Sequence, residues 1–196
     1  MMKKIPASSN AGFTLIETLA AITLLLFAII PPMALTVQSL TSADYARDQI
    51  TASNLAQEGI EAVRAVRDGN ILSTAEGTTV DLFKGILPTC ATACYVDMTA
   101  IPNPTTTACG ANPCPNALNT NGQLYSYHST GGGWVPSNFT RTIRACYING
   151  GVCNTVPSDE VRLIVTVSWK TAAFKTQSVI LFENLYNWPQ PGSASP

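Results

Sequence analysis

The sequence predicts an α+β fold, with one long N-terminal helix packed on a C-terminal antiparallel β-sheet head. No charged residue occurs in residues 18–43, and an amphipathic helical pattern follows this apolar run. In the second half, apolar residues recur at every other position, which is the period of a half-buried strand. The helix is therefore predicted to have a membrane-spanning half and an amphipathic half.

The composition favours an anchored protein outside the cytosol. Of 196 residues, 46% are hydrophobic and only 12% are charged, a low share for a free cytosolic protein. The net charge of -1 gives no sign of a nucleic-acid-binding surface, so no nucleic-acid partner is predicted. Six cysteines, an even number, favour an oxidising compartment.

The apolar run is long enough to cross a membrane. It has 26 residues, and about 20 suffice for a helix that spans a bilayer. Lys3 and Lys4 precede it, which predicts a cytoplasmic N-terminus and a head outside the cytoplasm. A secretory signal peptide is one alternative, but Pro32 lies two places before Ala34, the nearest small residue for cleavage. A plain single-span anchor is another, although it leaves Glu17 unexplained in an apolar setting.

The stretch GFTLIE, residues 12–17, resembles the processing site of type IV prepilins and type II secretion pseudopilins. The resemblance includes the basic leader and the long apolar helix that follows. It implies that a membrane-embedded prepilin peptidase and methyltransferase cuts between Gly12 and Phe13 and N-methylates Phe13. The stretch ASNLAQEGIEAVRAVRD, residues 52–68, is also similar to minor pilins. The family resemblance implies a lollipop-like layout and polymerisation through the helix.

Glu17 matches the glutamate that follows the family's cleavage site. The resemblance implies that it pairs with the new amine at Phe13 of a neighbouring subunit during assembly. The cost of desolvating two charges offsets much of their attraction, so a role in fixing the axial register fits better than a role in stabilising the filament. The alternative is a glutamate that reaches back to the cytoplasmic interface.

Pro31 and Pro32 lie inside the apolar run. Each lacks a backbone donor and crowds a carbonyl of the preceding turn, which predicts a helix kink. The resemblance adds a second interpretation, in which the doublet marks a point where the helix loosens on assembly. A simple kink that aims the outer domain explains the residues equally well.

The amphipathic half of the helix is predicted over residues 38–68. Its apolar or small residues form one stripe, and Asp68-Gly69-Asn70 predicts the helix end. The stripe consists of Ala52, Leu55, Ala56, Gly59, Ile60, Ala62, Val63 and Val66. The predicted divisions of the chain are a leader at 1–12, a transmembrane and polymerisation helix at 13–37, the outer helix at 38–68, a head at 69–188 and a flexible tail at 189–196.

The head is predicted to contain antiparallel strands. Residues 160–169 alternate most clearly, with residues 173–185 as their partner across a turn and 138–148 as a third strand. Residues 80–83, 95–98 and 124–128 predict further short strands.

The cysteines allow two interpretations. Cys90, Cys94, Cys109 and Cys114 have spacings loosely similar to a zinc ribbon, but true ribbons more often use two-residue gaps. Disulfides fit a long loop outside the membrane better, so no metal is predicted. Six cysteines allow 15 pairings. One pair is favoured, Cys146 with Cys153, because Asn149-Gly150-Gly151 between them is typical of a hairpin turn.

The sequence gives little support for an enzyme. The single histidine, His128, lies beside a predicted strand, and no nucleophile or metal motif accompanies it. We therefore expect no catalytic residue and no cofactor.

The expected function is a minor pilin-like structural subunit whose partners are other pilin subunits in a helical filament. The expected location is the cell membrane for the single-pass precursor and then the cell surface. A pseudopilin of a type II secretion pseudopilus is the first alternative, and a non-polymerising anchored binding domain is the second.

Overall fold

The computed structural model describes residues 12–78, 80–97, 104–127, 132–171 and 175–187. They form one helix, α1 (Leu15–Ala75), and nine strands. The strands are β1 (Cys94–Val96), β2 (Thr106–Ala108), β3 (Asn119–Thr120), β4 (Tyr125–Ser126), β5 (Val135–Pro136), β6 (Phe139–Asn149), β7 (Val152–Asn154), β8 (Glu160–Lys170) and β9 (Thr176–Tyr186). The α+β class predicted from the sequence is confirmed.

The chain divides into two compact units, Met1–Ala46 and Arg47–Pro196. The first contains the apolar part of α1, and the second contains the amphipathic part with all the strands. The two units differ in burial. Residues 12–46 are all exposed, whereas the buried core begins at Ala52.

The main sheet is antiparallel and has the strand order β2-β1-β6-β8-β9, with β7 paired to β6. Strands β6, β8 and β9 form its centre and one edge, and each has 11 residues. A smaller sheet has the order β4-β3-β5. The three long strands correspond to the three main strands predicted, and their ends differ by at most three residues.

The core lies between α1 and the main sheet. Val161, Leu163, Val165, Val167 and Trp169 of β8 are all buried on the face toward the helix. The apolar stripe predicted on the helix is confirmed, since its members are buried and Val66 is half-buried against the same cluster. Gly59 permits the closest approach, because a Cβ atom there would lie 3.0 Å from Val165 Cγ1 and 3.2 Å from Arg141 Cδ.

The predicted helix end at Asp68-Gly69-Asn70 is wrong, since α1 continues to Ala75. The Asn70 side chain does not cap the helix but donates to the carbonyls of Leu82 and Lys84, at 3.0 and 2.8 Å. The helix ends instead before Gly77, whose φ of 94° is the left-handed conformation that commonly terminates helices. α1 therefore extends seven residues past residue 68, the predicted end of the outer helix.

The predicted strand at residues 80–83 is also wrong. The Asp81 side chain accepts from the Phe83 backbone N–H at 3.0 Å, and the Lys84 N–H donates to the Asp81 carbonyl, which makes a turn. Phe83 nevertheless enters the core and is 3% exposed. Its burial explains the apolar pattern that suggested a strand. The short strands predicted near 95–98 and 124–128 correspond to β1 and β4, although Met98 and His128 lie outside the described residues.

Candidate processing and assembly segment

Residues 12–14 form an exposed, non-helical lead into α1. Phe13 is 81% exposed, and no atom would lie within 4 Å of a Cβ atom added at Gly12. The predicted cleavage point between these two residues therefore lies outside the helix and is exposed among the described residues. The leader that precedes it, residues 1–11, lies outside the described residues.

The first turn of α1 contains both Thr14 and Glu17. Thr14 caps the helix, since its Oγ1 accepts a hydrogen bond from the Glu17 N–H at 3.3 Å. The spacing of Thr14 and Glu17 matches a capping box, and an acid in the first turn also complements the helix dipole. Glu17 therefore has a local reason to be in this position as well as the assembly role that the sequence resemblance implies.

The apolar half of α1 has the length and composition to span a membrane. None of its 18 most apolar consecutive residues is buried in the protein. A continuous apolar surface of this size marks contact with lipid or with another protein. The single long N-terminal helix is thus compatible with a membrane anchor.

The hydroxyl groups in this half bond within the helix. Thr18, Thr23 and Thr36 donate to the carbonyls of Leu15, Ala20 and Pro32, each at 2.8 Å. Polar groups in a hydrocarbon environment need such internal partners, because lipid offers none. These threonines are therefore compatible with the membrane interior.

Pro31 and Pro32 lie within the helix, which continues through them without interruption. Neither proline provides a backbone N–H, so the carbonyls one turn earlier, on Phe27 and Ala28, lose their usual helical donors. The structure places the doublet in the exposed apolar half. The kink and the loosening on assembly stay predictions.

A buried arginine joins the outer half of α1 to the sheet. Its burial was not predicted from the sequence. Arg141 of β6 is 1% exposed and points toward the helix, where its Nη1 lies 3.2 Å from Glu58 Oε1. Its guanidinium also donates to the carbonyls of Leu55 and Val96, at 3.1 and 3.2 Å. The sequence feature that could have indicated its burial is its place on the inward side of an alternating strand, between Phe139 and Ile143.

Tyr127 also contacts Arg141. Its ring centroid lies 5.8 Å from the guanidinium carbon, and its hydroxyl donates to the Arg141 carbonyl at 2.6 Å. Burial raises the pKa of Tyr127 to about 12, although the nearby Arg141 charge works in the opposite direction. The phenol therefore stays neutral and remains a donor throughout the ordinary pH range.

A second ion pair lies farther along the helix. Arg64 Nε donates to Glu183 Oε1 of β9 at 2.9 Å, and Arg64 also pairs with Glu61 one turn earlier. The hydrogen bonds to Glu183 are the main reason that the pKa of Arg64 is raised. Together with Glu58 and Arg141, these residues set where the amphipathic helix lies on the sheet.

All six cysteines form disulfides: Cys90–Cys94, Cys109–Cys114 and Cys146–Cys153. The pair favoured from the hairpin turn is present, and β6 and β7 flank that turn as expected. Gly150 and Gly151 provide its left-handed positions, with φ values of 60° and 81°. Among the described residues, no group of His, Cys, Asp and Glu has the arrangement of a metal site.

The structure brings the predicted site residues together in part. Gly12, Phe13 and Glu17 lie in one exposed stretch of the first unit, whereas the cysteines lie in the second. His128, the only histidine, lies outside the described residues. No protein-family model, curated protein or solved structure matches this chain.

Proposed function

We propose that this chain is the precursor of a filament subunit similar to a minor type IV pilin. A prepilin peptidase cuts it between Gly12 and Phe13, Phe13 is N-methylated, and the mature chain polymerises through the apolar half of α1. The head then lies on the outside of the filament. The observation that carries the proposal is the exposed Gly12-Phe13 bond directly before an apolar helix whose first turn contains Glu17.

Three features support this assignment over a plain anchor. The cleavage bond lies outside the helix, so a peptidase reaches it without unwinding α1. The apolar half is exposed on every side, which suits contact with lipid before assembly and with other helices after it. Cleavage also creates a positive amine within one helical turn of Glu17, so the same end of the helix carries both charges.

Processing is tested by expressing the full chain in membranes with and without a prepilin peptidase. We expect a mass loss equal to residues 1–12 together with the gain of one methyl group, measured on the intact protein. Gly12→Val is the matched variant. A side chain at this position meets no neighbour, so a loss of cleavage in this variant reports recognition by the peptidase rather than misfolding. An unchanged mass for the parent chain contradicts the proposal.

The assembly role of Glu17 is tested with Glu17→Ala and Glu17→Gln. Glutamine suits the capping position as well as glutamate does but has no charge. If the charge pairs with a neighbour's amine, both variants insert into the membrane but incorporate poorly into filaments. Normal incorporation of Glu17→Gln would leave only the capping role. Thr14→Ala removes the observed cap while keeping the charge, and it serves as the control.

A non-polymerising membrane-anchored domain is the second candidate, and the place of Glu17 in the first turn of α1 favours it. An acid there complements the helix dipole, which gives the Glu17 carboxylate a use that requires no neighbouring subunit. An anchor of this kind keeps residues 1–12 in the presence of the peptidase. A pseudopilin of a secretion system shares every N-terminal feature of the first proposal, and it is distinguished by whether loss of the chain abolishes protein secretion or surface filaments.

A further inference from the structure

Strand β9 is an open edge of the main sheet. It is last in the strand order, and its outer side has no strand partner among the described residues. Its 11 residues pair one-to-one with β8, from Thr176 opposite Lys170 to Tyr186 opposite Glu160. An uninterrupted edge of this length offers a continuous row of backbone donors and acceptors, so it favours an extended strand as its partner.

The middle of the outward face of this edge is apolar. Phe182 and Ile180 are 71% and 58% exposed, and Ile164 lies beside Phe182 on the neighbouring strand. The other face of β9 packs toward α1, where Leu185 is buried. An added strand therefore gains side-chain contacts on the outward face as well as backbone hydrogen bonds.

Three of the usual devices that block an open edge, namely lysine, proline and a bulge, are missing from β9. The outward positions 176, 178, 180, 182, 184 and 186 are also all neutral. A charge that points inward is a further device, and Glu183 is one, but it faces α1 and its charge is paired with that of Arg64. Two copies of this edge therefore meet without repulsion between like charges.

The chain's own C-terminal residues are a poor partner for this edge. Residues 188–196 include Pro189, Pro191 and Pro196, and proline lacks the N–H that a strand ladder needs. A second copy of β9 has no such defect. In an antiparallel pair, the full overlap of the 11 residues is centred on Leu181 and places Ile180 opposite Phe182 of the other copy.

We propose that β9 is a self-association edge, through which two copies of the head join as an antiparallel β9–β9 pair. The contact has twofold symmetry, so it closes on two copies and does not by itself extend a filament. It therefore goes beyond the proposed polymerisation through α1. In a filament it would link subunits of two separate filaments, and it would equally pair two anchored heads.

The test compares the full chain, purified in detergent, with Ile180→Lys/Phe182→Lys and Val152→Lys/Val156→Lys. Val152 and Val156 are 65% and 61% exposed and do not belong to β9, so the second variant adds the same charge elsewhere. Light scattering with correction for detergent gives the mass at several protein concentrations. We expect the parent and the valine variant to dimerise, and at least a tenfold higher dissociation constant for the β9 variant.

Hydrogen exchange on the parent chain provides the second measurement and does not depend on a variant folding. We expect the amides of β9 to become more protected as the protein concentration rises through the dimerisation range. A monomeric parent, an unaffected β9 variant, or β9 protection that does not change with concentration would each overturn the proposal. Association through the apolar helix would survive the β9 substitutions, and cleavage at Gly12 does not involve β9. A failure of β9 self-association is therefore distinguishable from a failure of the proposed processing and polymerisation.

Discussion

Arg141 shows how one side chain can decide the packing of a helix on a sheet. A buried guanidinium is costly unless its donors are paired, and here Glu58, the Leu55 carbonyl and the Val96 carbonyl all face it. Two of these partners belong to α1 and one to β1, so the arginine connects three elements. A hydrophobic residue could fill the same space but would accept several positions of the helix, whereas the ion pair specifies one.

Arg141→Ala is expected to lower the free energy of unfolding by about 3–5 kcal/mol, because it leaves a cavity and removes the partner of Glu58. Arg144→Ala is the matched control. Arg144 lies three residues along β6 but is exposed, so its replacement is expected to change stability by less than about 0.5 kcal/mol. Urea unfolding followed by near-ultraviolet circular dichroism measures both. Equal losses in the two variants would show that the Arg141 contacts do not hold α1 on the sheet.

Tyr127 makes a prediction about alkaline pH. Its folded pKa of about 12 lies above the ordinary value of 10.0, so the folded state holds the phenolic proton more tightly. The resulting stability is complete below pH 10 and is lost as the pH rises toward 12. We expect Tyr127→Phe to be less stable than the parent at neutral pH, because it lacks the hydrogen bond to the Arg141 carbonyl.

The measurement for Tyr127 is the difference in unfolding free energy between parent and variant at several pH values. This difference cancels the titration of other tyrosines and lysines. It is expected to shrink between pH 10 and 12, since only the parent loses the contribution of this phenol. A difference that stays constant over that range would show that Tyr127 titrates normally.

At the scale of elements, the two halves of α1 differ in what surrounds them. Residues 12–46 are exposed throughout, whereas Ala52, Ala56 and Gly59 belong to a buried stripe against the sheet. Small residues on this stripe let the helix backbone lie close to β8 and β6. The stripe was predictable from its spacing alone, because helical periodicity is a local property.

Two glycines of α1 provide a matched test of this close approach. Gly59→Ala is expected to destabilise the head by about 1–3 kcal/mol, since the new methyl group meets Val165 and Arg141. Gly69→Ala meets no neighbour and is expected to stabilise the helix by about 0.5–1 kcal/mol. Thermal unfolding of both variants gives the comparison. Stabilisation by both substitutions would show that α1 and the sheet are less closely packed than described.

At the scale of the whole molecule, the apolar first unit, Met1–Ala46, and the second unit, Arg47–Pro196, which contains the head, differ in burial. Among the described residues, every buried core residue occurs at position 52 or later, so the described part of the first unit contributes none of them. The three disulfides also belong to the head and close loops of only four to seven residues. Each is expected to contribute about 2 kcal/mol, at the lower end of the usual range, because short loops lose little entropy on closure.

We therefore expect a chain that begins at Arg47 to fold and to remain in the soluble fraction. Its near-ultraviolet circular dichroism should match that of the full chain, and its melting temperature should differ by no more than a few degrees. The full chain should remain with the membranes after a carbonate wash. Unfolding or aggregation of the shortened chain would show that the apolar unit contributes to the stability of the head.

The sequence by itself determined the helix-and-sheet class, the buried stripe of α1, the three long strands and the Cys146–Cys153 hairpin. Each follows from periodicity or turn chemistry within a short window, where side-chain spacing alone decides which face is buried. The apolar half of α1 belongs to the same group.

Only the tertiary structure decided the burial of Arg141, the remaining disulfide pairs and the true end of α1. The Arg141 bond to the Leu55 carbonyl joins residues 86 apart in sequence, and no local pattern specifies that meeting. Likewise, the Asn70 side chain donates to the carbonyls of Leu82 and Lys84 and does not cap the helix. The helix end that Asp68-Gly69-Asn70 predicts locally is therefore not formed. These features depend on which distant groups satisfy a buried donor, and that is settled only when helix and sheet pack together.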